Sequence, residues 1–495
     1  MEASAGIGSG GRNGIPRVLN AWSELTFAMA VCLGLGGLGF AVLRRLLTRL
    51  KAVDVIALAF PLGAGLFTLS LFVVSWLGVR LSPLSAGLTW GFVLAVALLT
   101  PVRGTVGNNS SQREDHGSGR SREIPRTALA VVLPALIGAS LVAAWLGVGR
   151  SYSAWDDIAV WGMRALVIAR EGTVRAAGVS YPLNIPILIA TFHFLGERLP
   201  ASKLVFPLFY LSLSVGSLRF WLQRGVDTLP AILGACWLSS TPLLFEHATL
   251  GYANLPYASY LVLGTAETVQ GILGGDVRRQ LLGGLLLGLA AWTRPEGALT
   301  LLLIIAAMVP ASFLTLPRGL RAPGWMILPT LLAGGWLILV GTQGAGGQMA
   351  QGLKAVAEGV AQGELHLGAI YRIARYMARQ ALEISVWGLL VPACAFSVIV
   401  RRKRLRPKPN PDAFLVLVVL SVLAAGVTFQ FYVADFTGEL MNYLGNSANR
   451  MYMPAAVLAV LLAILLTREP AARGLPAATQ MPIGPVADGS AGTET

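Results

Sequence analysis

The chain has 495 residues, of which 55% are hydrophobic and only 13% are Asp, Glu, Lys or Arg, and its mean hydropathy is +0.66. Soluble globular chains carry roughly 25% charged residues, so this composition excludes a string of water-facing domains and points to a polytopic membrane protein. The 38 Lys and Arg against 24 Asp and Glu leave a net charge of +14, which fits nucleic-acid binding or membrane orientation until its distribution is read.

A bilayer core takes about 20 apolar residues per helix. After a polar N-terminal segment at 1–21, candidate spans fall near 22–42, 53–77, 83–102, 127–148, 203–222, 229–247, 255–272, 279–293, 296–314, 324–342, 384–400, 413–434 and 453–467. That makes thirteen, and short pieces such as 279–293 could be half-helices. Polar residues through Ser23 argue against a cleavable signal peptide. Open sheets cannot satisfy their backbone in lipid and no ten-residue alternation suggests a barrel. The predicted fold class is therefore an all-α polytopic membrane protein of about thirteen transmembrane helices.

Lys and Arg cluster in alternate loops: Arg44 to Lys51, the loop 103–126, Arg219 and Arg224, Arg278 and Arg279, Arg318 and Arg321, Arg401 to Arg406, and Arg468 with Arg473. The positive-inside rule makes these loops cytoplasmic. The N-terminus and the segments 149–202, 343–383 and 435–452 then lie outside, and the C-terminus inside. Divided this way, the cytoplasmic side carries 23 basic against 11 acidic residues and the outer side 15 against 13. Nearly the whole excess is orientation signal, not a nucleic-acid footprint. The loop 103–126 reads as a flexible linker and the tail 468–495 as disordered. Cys32, Cys236 and Cys394 fall inside spans and read as small apolar residues.

The chemistry-bearing residues lie in the outer segments. Trp155-Asp156-Asp157 follows the fourth span and runs on through Trp161 and Arg164 to a helix stop at Gly172. Ser153-x-x-Asp156 can be a capping box between interfacial tryptophans. The adjacent carboxylates can equally supply a general base at the lip of a membrane cavity. Tyr181-Pro182-Leu183-Asn184 opens an apolar run ending at Leu195, too short to cross, that fits a surface or re-entrant helix. His193 within it reads as a packed histidine, and the chain's four histidines give no zinc-site spacing.

Glu246-His247 to Asn254-Leu255-Pro256 closes one span and opens the next. Trp292-Thr293-Arg294-Pro295-Glu296-Gly297 places two ionisable groups inside a long apolar stretch, either as a functional pair or as an ion pair in a proline turn. Between 343 and 383, Leu353, Val356, Val360, Leu367, Ile370, Ile373 and Met377 recur at helical spacing opposite Lys354, Glu358, Arg372, Arg375 and Arg379. This predicts an amphipathic helix pair at the membrane surface. Arg450 enters the last span, where it can snorkel or bind phosphate.

Taken in order, Trp155-Asp156-Asp157, Tyr181-Pro182-Leu183, Gly251-Tyr252-Ala253-Asn254-Leu255-Pro256, Trp292 to Gly297 and Asn449-Arg450 resemble the GT-C superfamily of integral-membrane glycosyltransferases. The likeness is to bacterial relatives of protein O-mannosyltransferases and of the lipid A aminoarabinose transferase, over 127–467. It implies a polyprenyl-phosphate-linked sugar donor and transfer, with inversion, to a hydroxyl of an envelope glycan, lipid or protein outside the plasma membrane. It also implies Asp156 as base, with Asp157 positioning the acceptor or a helper cation. Arg294, Arg450, Arg164 and Lys203 would hold the donor phosphate. Trp155, Trp161, Tyr181, Tyr252, Asn254 and Glu296 would line the pocket.

Two features depart from the family. The family often begins its acidic loop after the first span, whereas here four spans precede it, so 1–126 is unassigned, and Asn254 stands where the family often has Asp. No cofactor follows from the residues, and a divalent cation stays open. Two rival readings remain: a transporter or flippase of a lipid-linked precursor, which predicts ionisable residues deep within spans, and a structural subunit of a glycan-assembly complex.

Overall fold

The computed structural model describes residues 14–47, 50–99, 126–150, 152, 154–178, 181–196, 200–315, 324–342, 347–407 and 410–468. The predicted linker at 103–125, Ser153 of the predicted cap and the predicted tail from 469 lie outside the described residues. All regular secondary structure among the described residues is helical. α1 (Gly14–Leu46) and α2 (Ala52–Trp76) pack as a pair on which α3 (Pro83–Leu99) leans. Gly39 and Gly63 let their backbones touch, since a Cβ on either would strike the facing helix. α1 begins eight residues before the predicted span, with Pro16 in its first turn, where a helix tolerates proline.

α4 (Arg126–Val148) leads into a segment with a π-helical turn at Asp157–Gly162, α5 (Met163–Glu171) and α6 (Asn184–Gly196). Next come α7 (Val205–Gln223), the pair α8 (Thr228–Ser239) and α9 (Pro242–Thr249), α10 (Asn254–Gly274), α11 (Val277–Ala291), α12 (Gly297–Thr315) and α13 (Gly324–Thr342). The amphipathic pair predicted in 343–383 is α14 (Gly347–Ala361) and α15 (Leu367–Ala381). A short α16 (Ile384–Trp387), α17 (Leu390–Val400), α18 (Pro411–Phe436) and α19 (Leu440–Leu465) complete the chain.

Seven helices are long and apolar enough to cross a bilayer, or eight if the bent pair α8–α9 counts as one span. Length explains part of the distance from the predicted thirteen: α3, α13 and α17 contribute shorter apolar helices, and α11 has 15 residues. Composition explains α10, which is buried from Asn254 to Ile272. Surrounded by protein, it accommodates Thr265, Glu267 and Gln270 among its apolar residues. Two predicted spans are interrupted. The one at 229–247 bends by 54° ahead of Pro242, and the one at 384–400 breaks at Gly388, whose φ is +59°. α6 lies inside the protein rather than on its surface, with Ile185 to Phe192 buried.

Leu88, Phe92, Leu141, Leu331, Ile338 and Phe396 project outward with more than half their surface exposed. Such an apolar exterior around a packed hydrophobic core is that of a membrane-embedded protein. The charged side chains gather at the two ends of the bundle. At one end, Arg219 of α7 pairs with Asp54 of α2 and Glu267 of α10, and Arg279 of α11 approaches Glu267 at 3.5 Å. Beside them Asp412 of α18 takes Arg224 at 2.5 Å and Arg468 at 3.0 Å.

Candidate functional site

The opposite end holds the sequence-predicted residues. The π-helical turn carries one residue more than an α-turn, and π-bulges are frequent at functional sites. Here it opens at the acidic pair and sends the two carboxylates to different partners. Asp156, one-third exposed, pairs with Arg450 of α19, a contact across 294 residues of sequence. Asp157 is fully buried and meets Lys203 at 3.4 Å, and Lys203 also lies 4.7 Å from the ring centre of Tyr152.

Gly251 makes this arrangement possible. A Cβ there would run into the Asp157 carboxylate and the Tyr152 ring. The next residue, Tyr252, sits under the Arg450 guanidinium at 5.1 Å and beside His247 at 5.3 Å between ring centres. Arg450 is further fixed by donating to the Asn446 carbonyl at 2.7 Å and to Ser447 Oγ at 3.3 Å. Burial raises the Tyr252 phenol above its ordinary range, and Arg450 offsets part of that rise, so the hydroxyl keeps its proton.

The turn between α11 and α12 supplies the second cation. Arg294 pairs with Glu296 and donates from Nη1 to Asn254 Oδ1 at 2.7 Å. The ion-pair alternative for this proline turn therefore holds, and Asn254 extends it to the start of α10. The Tyr257 and Tyr443 phenols lie within electrostatic reach of both Arg294 and Glu296. Tyr181 packs edge-on against Trp161 at 5.9 Å and under Arg164 at 4.9 Å. Burial pulls the Arg164 guanidinium below its usual range, while Tyr181 acts in the opposite sense.

The structure thus gathers Asp156, Asp157, Lys203, Tyr252 and Arg450 in one group, and it joins Asn254, Arg294 and Glu296 in a second. Trp155 stands apart with 80% of its surface exposed, whereas Trp161, predicted as an interfacial anchor, is buried. His247 carried no local signal of its role. It is 2% exposed, and among the described residues its Nδ1 has no hydrogen-bond partner.

A divalent cation does not fit these donors. Each carboxylate of the acidic pair already faces a basic side chain, and among the described residues no three His, Cys, Asp or Glu converge as a metal-binding group.

Fold and site together define a class: a helical membrane-embedded protein with a cation-lined acidic site at one end of its bundle. Compared with known proteins, the chain matches no family model, no curated protein and no solved structure.

Proposed function

We propose that the chain is a GT-C-type glycosyltransferase of the plasma membrane, moving a sugar from a polyprenyl-phosphate donor to an acceptor hydroxyl outside the cell. The observation that carries this reading is the part-exposed Asp156 carboxylate, oriented by Arg450 next to a second, buried carboxylate. Asp156 takes the acceptor proton as that oxygen attacks the anomeric carbon. The bond from this carbon to the phosphate oxygen breaks, inverting the centre, and the lipid phosphate leaves with the electron pair. Arg294 and Arg450 stabilise its charge. Asp157, balanced by Lys203, fixes the floor of the site. No step is routed through a metal.

The element order supports thirteen crossings by α1, α2, α3, α4, α7, α8–α9, α10, α11, α12, α13, α17, α18 and α19. Among the described residues, the ion pairs between helices at each end join helix ends that this alternation places together. Asp54, Arg219, Arg279, Asp412 and Arg468 share the end assigned to the cytoplasm. Asp156, Asp157, Lys203, Asn254, Arg294 and Arg450 share the end assigned to the outside.

The test is transfer from a polyprenyl-phosphate sugar in proteoliposomes, comparing the parent with Asp156→Asn at equal folded yield. A loss on the order of 10²–10⁴-fold is expected for removal of a general base; equal turnover would remove Asp156 from that role. One observation favours a second reading. Glu267, fully buried and seven residues inside the end of α10, comes nearest to the ionisable residue deep within a span that a transporter or flippase of a lipid-linked precursor predicts. Substrate flux across the liposome without any new glycosidic product would decide for it.

A further inference from the structure

Beneath the site, three polar side chains from distant parts of the chain meet in the core. Thr68 Oγ1 of α2 donates to Asn184 Oδ1 at 2.6 Å, and Asn184 Nδ2 donates to Thr293 Oγ1 at 2.8 Å. Thr293 Oγ1 in turn donates to the Leu289 carbonyl at 2.6 Å. All three residues are fully buried, so no solvent replaces a lost partner.

Thr68 has one hydroxyl proton and two acceptors in reach, Asn184 Oδ1 at 2.6 Å and the Gly65 carbonyl at 3.0 Å, and the shorter contact sets the polarity of the chain of bonds. The Thr293 hydroxyl spends its proton on Leu289, so it can only accept from Asn184. A flipped Asn184 amide would turn its carbonyl toward a hydroxyl with no proton to give. The amide is thereby held with its oxygen toward Thr68. Asn184 opens α6 directly after Tyr181-Pro182-Leu183, and Thr293 immediately precedes Arg294. One buried amide therefore couples the α6 entry to the arginine turn, and Thr68 orients that amide.

Two more residues on the same face of α2 point the same way. Thr68, Phe72 and Ser75 follow an i, i+4, i+7 spacing. Phe72 packs edge-on against Trp292, ring centres 4.5 Å apart, and Ser75 Oγ accepts from the Val174 backbone N–H at 3.0 Å. This face thus touches the arginine turn, the α6 entry and the segment that follows the acidic pair.

We propose that Thr68 is a positioning residue for Arg294, acting through Asn184 and Thr293. The N-terminal helices, which the family resemblance leaves unassigned, are on this view part of the site's framework. The consequence for donor binding rests on the glycosyltransferase reading; the positional claim does not.

The experiment compares full-length protein with Thr68→Val and Thr68→Ser in nanodiscs, by hydrogen exchange of the 289–298 segment and by transfer kinetics. Thr68→Val leaves a buried amide oxygen without its donor, an effect worth on the order of tenfold in an equilibrium. Exchange in 289–298 should rise about tenfold with α18 unchanged, and the donor KM should rise about tenfold with kcat held within about twofold. Thr68→Ser, which keeps the hydroxyl, should restore both. Should Thr68→Val not accumulate folded, Thr68→Ala takes its place with the same expected shifts. Unchanged exchange in the turn, equal effects of valine and serine, or a kcat loss at constant donor KM would overturn the proposal. If the parent itself transfers nothing, the glycosyltransferase reading falls, and the exchange data alone decide the role of Thr68.

Discussion

The two ends of the bundle use the same residue types for opposite ends. At the Arg219 end, one guanidinium with 1% exposure bridges two buried carboxylates from two other helices. At the Asp156 end the Asp157–Lys203 pair is buried, but two pairs are part-exposed: 33% and 19% for Asp156 and Arg450, 11% and 15% for Glu296 and Arg294. The first set is sealed among α2, α7 and α10, and the second reaches the surface. A sealed ion cluster fixes helix positions, because removing any member leaves an uncompensated charge in the core. A part-open cluster keeps charge available for a ligand that brings its own.

The sharpest way to break this contrast is Arg219→Met. It leaves Asp54 and Glu267 buried without their shared cation and should cost about 3–5 kcal/mol, read as a collapse in folded yield or in unfolding midpoint. Asp156→Asn should do the reverse, abolishing transfer while the unfolding midpoint stays near the parent's. If both variants lose stability equally, the distinction between a sealed and an open end is lost.

A smaller effect separates the acidic pair itself. Gly251→Ala drives a methyl group toward the Asp157 carboxylate and the Tyr152 ring. Overpacking of this kind costs about 1–3 kcal/mol, and the displaced Asp157–Lys203 pair should slow transfer as well. Wild-type stability and turnover in this variant would show that the contact relaxes freely. The smallest expected change is with a chelator. Because Arg450 and Lys203 face the two carboxylates, activity should stay within about twofold of its starting value on metal removal; a large loss restorable by Mg²⁺ or Mn²⁺ would reopen the metal question.

The legible parts of the fold were those set by local composition. α4 and α12 fall within a residue or so of their predicted bounds, because long apolar runs end at charges, prolines or glycines. The amphipathic pair in 343–383 was legible from its spacing for the same reason. The bend at Pro242 and the break at Gly388 lie inside apolar runs that read as continuous. For the site, residue types and their approximate location were readable, but pairing was not. Asp156 and Arg450 are 294 residues apart, and Thr68 and Asn184 are 116 apart. No local pattern encodes such meetings, which depend on how α2, α6, α7 and α19 pack. The burial of Trp161, against its expected place at the interface, has the same origin: Tyr181 arrives from another segment to cover it.

The π-turn at Asp157–Gly162 makes loop length a control on the acidic pair. Each residue of an α-helix advances about 100° around its axis. Removing one residue from this turn would let it relax to a regular helix and swing everything upstream by that angle relative to α5. Asp156 would then turn away from Arg450 without any change in its own chemistry. The aim of the two acids is thus stored in a residue count, and a single-codon deletion would alter it as effectively as a substitution.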